Sequence, residues 1–187
     1  MLKIAITGNI AAGKSAVEKI LKDNGFNVFD TDEITHSILD SSEDVRALFN
    51  DFDVFTNNKI DRKKISKIVF SDKNILKKLE AIVHPLVKNE LLKIFKQDYE
   101  IIFVSVPQLF EAGFDDMFDK IVFVTADENI RLQRLMKRNN LTKNEAILRI
   151  NAQMPEADKI NKCTYVLENN GTIGDLTNKL NKIQFNK

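Results

Sequence analysis

One cysteine, three prolines, six glycines and no tryptophan in 187 residues exclude several protein classes at once. Cys163 has no second thiol to pair with, so an intrachain disulfide and a cysteine-bound metal cluster are both ruled out. A reducing cytoplasm is the expected location. Charge of one sign is also missing: 28 Lys and Arg face 27 Asp and Glu, leaving +1. Without a global basic field, a general nucleic-acid partner is not expected. Apolar runs are too short to span a bilayer, so no membrane partner is expected either. The N-terminal run carries Lys3 and reads as a core strand, not a signal peptide. No Gly/Ser/Pro-rich linker interrupts the chain. Its 43% apolar content therefore suits one substantial core, a single domain over 1–187 with inserted subregions.

Against this background one segment stands out. Gly8-Asn9-Ile10-Ala11-Ala12-Gly13-Lys14-Ser15 fits G-x-x-x-x-G-K-[ST], directly after the apolar run Leu2 to Thr7 and running into a helical pattern with Val17, Ile20 and Leu21; Gly8 to Ala16 are the candidate nucleotide-binding residues. Glycines let such a loop turn so that successive backbone N–H groups and the helix N-terminus face phosphate oxygens. Lys14 then reaches the outer phosphates, and Ser15 can hold Mg²⁺. Asn9 stands where many such loops carry glycine, and is expected to tolerate an unusual backbone angle. The motif sets the ligand class, a nucleoside triphosphate.

Hydrophobic periodicity sets the fold class. Apolar strands are predicted at 2–7, 26–29, 101–106, 121–124 and 165–167, separated by helical patterns, as in parallel sheets buried on both faces. A doubly wound α/β fold follows, and with the phosphate loop after its first strand it is expected to be a P-loop NTPase-type parallel sheet flanked by helices. Helices are predicted from Lys14, ending at Gly25, over 127–138, after Thr142, and from Thr172 through Ile183. Residues 33–97 read as a helical insertion with starts at Ser42, Asp61 and Asp72, and with Pro85 in the first turn of a further helix. This insertion is the candidate acceptor-binding region. Residues 127–153, rich in Arg131, Arg134, Lys137, Arg138, Lys143 and Arg149, are the candidate lid.

Phosphoryl transfer asks a protein mainly for positioning and charge neutralisation. Asp30 and Asp32 lie at the carboxyl end of the second strand, the edge where open α/β sheets bind ligands. Asp32 is the better candidate for the base, although short acidic residues there also suit a helix cap. Arg138, before the Asn139-Asn140 break, is best placed to swing over a triphosphate; a solvated arginine face is the bland alternative. His84 and Glu111 suit either a pocket lining or ordinary structural roles. Cys163 reads as a small packed residue.

Together, Thr7 to Ser15, Asp30-Thr31-Asp32, the run Ile60 to Phe70, Leu79 to Val87 with His84-Pro85, and Pro107-Gln-Leu-Phe-Glu111 resemble the dephospho-CoA kinase family, in order over nearly the whole chain. Arg138, Arg149 and Gln153 match its lid pattern, and Asn169-Asn170-Gly171 its closing turn. The resemblance implies ATP-dependent phosphorylation of the ribose 3′-hydroxyl of dephospho-CoA, with Mg²⁺ as cofactor. It also implies roles: Asp32 activates or orients the hydroxyl, Lys14 and Ser15 serve the phosphates and metal, Arg138 closes over ATP, and Arg62 and His84 help form the acceptor side with Glu111. The expected partners are ATP and dephospho-CoA, and the expected state is a monomer. Asn9 and Ala11 depart from glycines common in the family loop, Thr31 from its Asp-Ala-Asp, and Gln108 from its Pro-Leu-Leu. None of these departures removes a reactive group. The rival readings are another small P-loop kinase and a nucleotide-sensing switch; the Asp61-Arg62 to His84-Pro85 run opposes the first, and the lack of an N-K-x-D segment opposes a GTPase. The strand over 101–106 also ends without the acidic residue that many P-loop ATPases use for Mg²⁺.

Overall fold

A computed structural model describes residues 1–56 and 59–185. The elements in chain order begin β1 (Leu2–Gly8), α1 (Lys14–Asp23), β2 (Asn27–Asp30), α2 (Thr31–Ser41), α3 (Glu43–Leu48), β3 (Phe55–Thr56), β4 (Lys59–Ile60), α4 (Arg62–Ser71) and α5 (Lys73–Ile94). They continue with β5 (Ile101–Ser105), β6 (Lys120–Thr125), α6 (Glu128–Asn139), α7 (Lys143–Asn151), α8 (Glu156–Ile160), β7 (Tyr165–Glu168) and α9 (Ile173–Asn181). Two compact units result, Met1–Asp30 with Asp98–Lys187, and Thr31–Gln97.

The first unit is built on a five-stranded parallel sheet in the order β2-β5-β1-β6-β7. This is the parallel, helix-flanked sheet that the strand pattern implied. Its central strands carry Ile4, Ile6, Phe103, Val122 and Val124, which pack with Val17 and Leu21 of α1 and with Leu176 and Leu180 of α9. Burial on both faces explains why these strands read as unbroken apolar runs. The register matters most for function. Ile6 pairs with Ser105, Ser105 with Asp30, Gly8 with Val124 and Thr125 with Glu168, so the carboxyl ends of all five strands share one edge. That edge is where open α/β sheets place their ligands.

The second unit is mainly helical, and its caps are local chemistry. Ser42 accepts from the Val45 amide, Asp61 from Lys63 and Lys64, and Asp72 from Asn74 and Ile75, fixing three helix starts where the sequence put them. Two expectations fail here. The stretch is not wholly helical, since β3 and β4 pair antiparallel, with Phe55 opposite Ile60. Asn57 and Asn58, part of that stretch, lie outside the described residues. Nor does Pro85 open a helix: it lies inside the 22-residue α5. Leu79, Val83, Val87 and Leu91 form one buried stripe at four-residue spacing, and its continuous burial outweighs the hydrogen bond that the proline removes.

Candidate functional site

The loop between β1 and α1 owes its shape to close approaches. A Cβ on Gly8 would run into the Val124 carbonyl, and one on Gly13 into the Asn169 side-chain amide. Gly13 also has φ +102°, which L side chains rarely adopt. Ala11, at φ 60°, takes the left-handed conformation inside the loop. The expectation for Asn9 therefore needs correction, because its own φ is not positive. Its amide is what matters. Nδ2 donates to Glu156 Oε2 at 3.1 Å, and Oδ1 accepts from Lys159 Nζ at 3.3 Å.

Further bonds tie the loop to the segments that follow β6. The Ala12 amide donates to the Asn9 carbonyl at 3.1 Å. The Ala12 carbonyl accepts from Asn169 Nδ2 (2.8 Å) and Arg134 Nη1 (3.3 Å). The Ile10 amide donates to Gln153 Oε1 at 2.7 Å. Thr125, at the end of β6, donates its hydroxyl to Glu156 Oε1 at 2.7 Å. Arg134 also reaches the Asn169 carbonyl at 3.0 Å.

Helix α1 starts at Lys14 with no side-chain cap at Gly13 and no acidic residue in its first turn. Its N-terminal amides and positive pole are therefore suited to an anion, and the concave loop before them supplies the cradle. Lys14 Nζ pairs with Glu18 Oε1 at 2.9 Å and bonds Ser105 Oγ as well. Ser15 is exposed, and its hydroxyl bonds no protein group among the described residues. A lone hydroxyl suits Mg²⁺, which keeps most of its shell as water and phosphate oxygens. No group of three or more His, Cys, Asp or Glu that could hold a metal occurs among the described residues.

The other nominated residues are distributed as follows. Asp30 ends β2 beside Ser105. Asp32 belongs to the second unit, exposed in the first turn of α2 with Glu33, where the helix dipole favours a carboxylate. Arg62 opens α4 and lies 3.9 Å from Asp40. His84 is half-buried within α5, not at a helix entrance. Arg138 is exposed in the last turn of α6, bonding Asn139 Oδ1 at 2.9 Å, and Asn140 follows at φ 51°. Glu111 Oε1 forms an ion pair of 2.7 Å with the buried Lys159. Cys163 donates to the Lys159 carbonyl at 3.1 Å, and burial pushes its thiol up to about 11.

Four residues at this site carry no clear mark in the sequence: Glu18, Ser105, Glu156 and Lys159. Glu18 had a local signal, its i+4 spacing from Lys14 on one helix. The other three meet the loop only through long-range folding.

Comparison with known proteins follows the same lines. The family model described as dephospho-CoA kinase matches residues 2–175. A dephospho-CoA kinase of Lactobacillus johnsonii is 36% identical over 188 residues, covering 96% of this chain and 95% of that one. The crystal structure of TT1252 from Thermus thermophilus superposes with a TM-score of 0.84 at 35% identity, covering 96% of this chain and 94% of the other. A dephospho-CoA kinase structure from Campylobacter jejuni gives 0.74 at 28% identity over the same shares.

Proposed function

The chain belongs to the dephospho-CoA kinase family, which catalyses the last step of coenzyme A synthesis, and on that premise we propose that it transfers the γ-phosphoryl group of ATP to the ribose 3′-hydroxyl of dephospho-CoA, giving CoA and ADP. The observation that carries this reading is the cradle of Gly8 to Ser15 in front of the uncapped N-terminus of α1. Its amides bind the phosphate chain, and Lys14 offsets charge on the outer phosphates. Ser15 is the residue to hold Mg²⁺, which when bound neutralises charge on the β- and γ-oxygens.

Asp32 orients the acceptor hydroxyl and takes its proton, a role that asks for a carboxylate within hydrogen-bond reach of the bound substrate. Arg138, at the exposed end of α6, closes over the triphosphate and offsets charge that develops during transfer. Residues 33–97, with Arg62 and His84, form the acceptor side, and residues 127–153 form the lid of a single kinase domain. The ion pair of Glu111 with Lys159 supports a structural task for that carboxylate ahead of direct substrate contact. The chain works as a monomer in the cytoplasm; none of its helices is long and apolar enough to cross a membrane among the described residues.

The deciding experiment is Mg²⁺-dependent ADP release from ATP with dephospho-CoA, with nucleoside monophosphates and with no acceptor, with CoA identified by mass. Acceptor-dependent CoA formation is expected. ATP binding with no turnover of dephospho-CoA would overturn the proposal.

A further inference from the structure

Strand β5 ends on Ser105, a neutral residue, where many phosphate-loop enzymes bring an acid to the nucleotide. A carboxylate nevertheless reaches this place from another element. Glu18 lies one turn into α1, with its side chain only 11% exposed. Its Oε1 accepts from the Ser105 hydroxyl at 2.6 Å and from Lys14 Nζ at 2.9 Å. Ser105 is fully buried, and its Oγ also takes a hydrogen bond from Lys14. Lysine, carboxylate and hydroxyl thus close a three-membered ring at the carboxyl edge of the sheet.

The ring has a physical consequence for Lys14. A lysine is a compact charge on a flexible four-carbon stem, so fixing its ammonium needs partners on more than one side. Partly buried, charge-assisted hydrogen bonds provide this, and they are stronger than equivalent bonds in water. We propose that Glu18 is a positioning residue for Lys14, supplying from helix α1, with Ser105 as the neutral bridge, the carboxylate that β5 lacks. The proposal rests on the kinase reading for its effect on turnover. It adds a residue that neither the phosphate-loop motif nor the family resemblance assigned.

Opposite effects on rate and binding identify this role. A carboxylate beside the cradle repels phosphate, so its loss leaves ATP affinity equal or makes it tighter, whereas a misplaced ammonium slows transfer. E18Q retains the side-chain size and should melt close to the wild type. Its kcat is expected to fall about tenfold or more, with ATP affinity by calorimetry unchanged or stronger. E18A/S105D moves the carboxylate to the strand end and should recover most of the lost kcat, which a merely structural role for Glu18 would not give.

A wild-type kcat in E18Q would overturn the proposal, as would kcat and ATP affinity lost together, or a double variant no faster than E18Q. If the wild-type chain formed no CoA at all, the reaction assignment would fall instead. Nucleotide affinity would then decide the claim on Lys14: tighter binding in E18Q supports it, and equal or weaker binding overturns it.

Discussion

Lys159 Nζ and Glu111 Oε1 stand 2.7 Å apart, with the lysine side chain 1% exposed and the glutamate reaching it from the segment after β5. A buried ammonium survives only with a close counter-charge and further hydrogen-bond partners, here Asn9 Oδ1 of the phosphate loop. The pair therefore fixes one end of that loop to α8.

Breaking this pair from the glutamate side strands the charge. E111A is expected to lower stability by about 3–5 kcal/mol, the usual cost of leaving a buried ion without its partner. E111A/K159M, which removes both charges, should regain much of that loss. Urea unfolding of the three chains checks it. A full-strength E111A whose only defect is a raised KM for the acceptor would instead place Glu111 against substrate.

Much of this arrangement was legible in the sequence, and the reasons are local. The sheet strands read as apolar runs because both faces are covered, and Ser42, Asp61, Asp72, Thr142 and Thr172 cap helices through amides only two or three residues away. The phosphate loop is likewise a contiguous motif. Glu156 and Lys159 were not legible as site residues, because their partners Thr125, Asn9 and Glu111 come from distant parts of the chain. Asn9 was misjudged for a related reason: a glycine position in a motif suggests a backbone angle, whereas here the side-chain amide bridges to α8 and Ala11 takes the left-handed φ. Short paired strands such as β3 and β4 offer too few residues for a period-two pattern to show.

For Asp32, the expected outcome of D32N is loss of turnover with ATP binding retained. Removing a general base costs roughly a hundredfold or more in rate, while the isosteric amide leaves the first turn of α2 intact. Measuring kcat and the calorimetric Kd for ATP individually separates the two effects. Equal turnover in the variant would remove Asp32 from the base role and leave it as a dipole-compatible residue of the helix start.

Cys163 gives a prediction in pH. Burial pushes its thiol up to about 11 from an ordinary value of 9.0, partly offset by the charge of Lys159. The folded state thus prefers the neutral thiol. That preference contributes stability fully below pH 9 and loses it as pH rises from there through about 11. The native chain should resist alkylation at pH 8 and react readily once unfolded in urea, since the thiolate is the nucleophile. In C163A the decline of the urea midpoint above pH 9 should be shallower than in the wild type. Identical slopes would show that this thiol does not titrate between the two states.

Pro85 offers a test of how the second unit resolves a conflict between local and tertiary preference. A proline inside a helix removes one i to i−4 hydrogen bond, here to the Ala81 carbonyl, and crowds that carbonyl, at about 3 kcal/mol. Helix α5 persists because Leu79, Val83, Val87 and Leu91 stay buried on both sides of the break. P85A restores the donor, and the more flexible unfolded chain returns about 0.4–1 kcal/mol of the gain, leaving a net stabilisation of about 2 kcal/mol. A raised urea midpoint, with a protected amide at residue 85 and slower hydrogen exchange at its neighbours, is the expected result. A lowered midpoint would mean that the helix bends at this point to seat its buried stripe, and that straightening it costs more packing than the recovered hydrogen bond supplies.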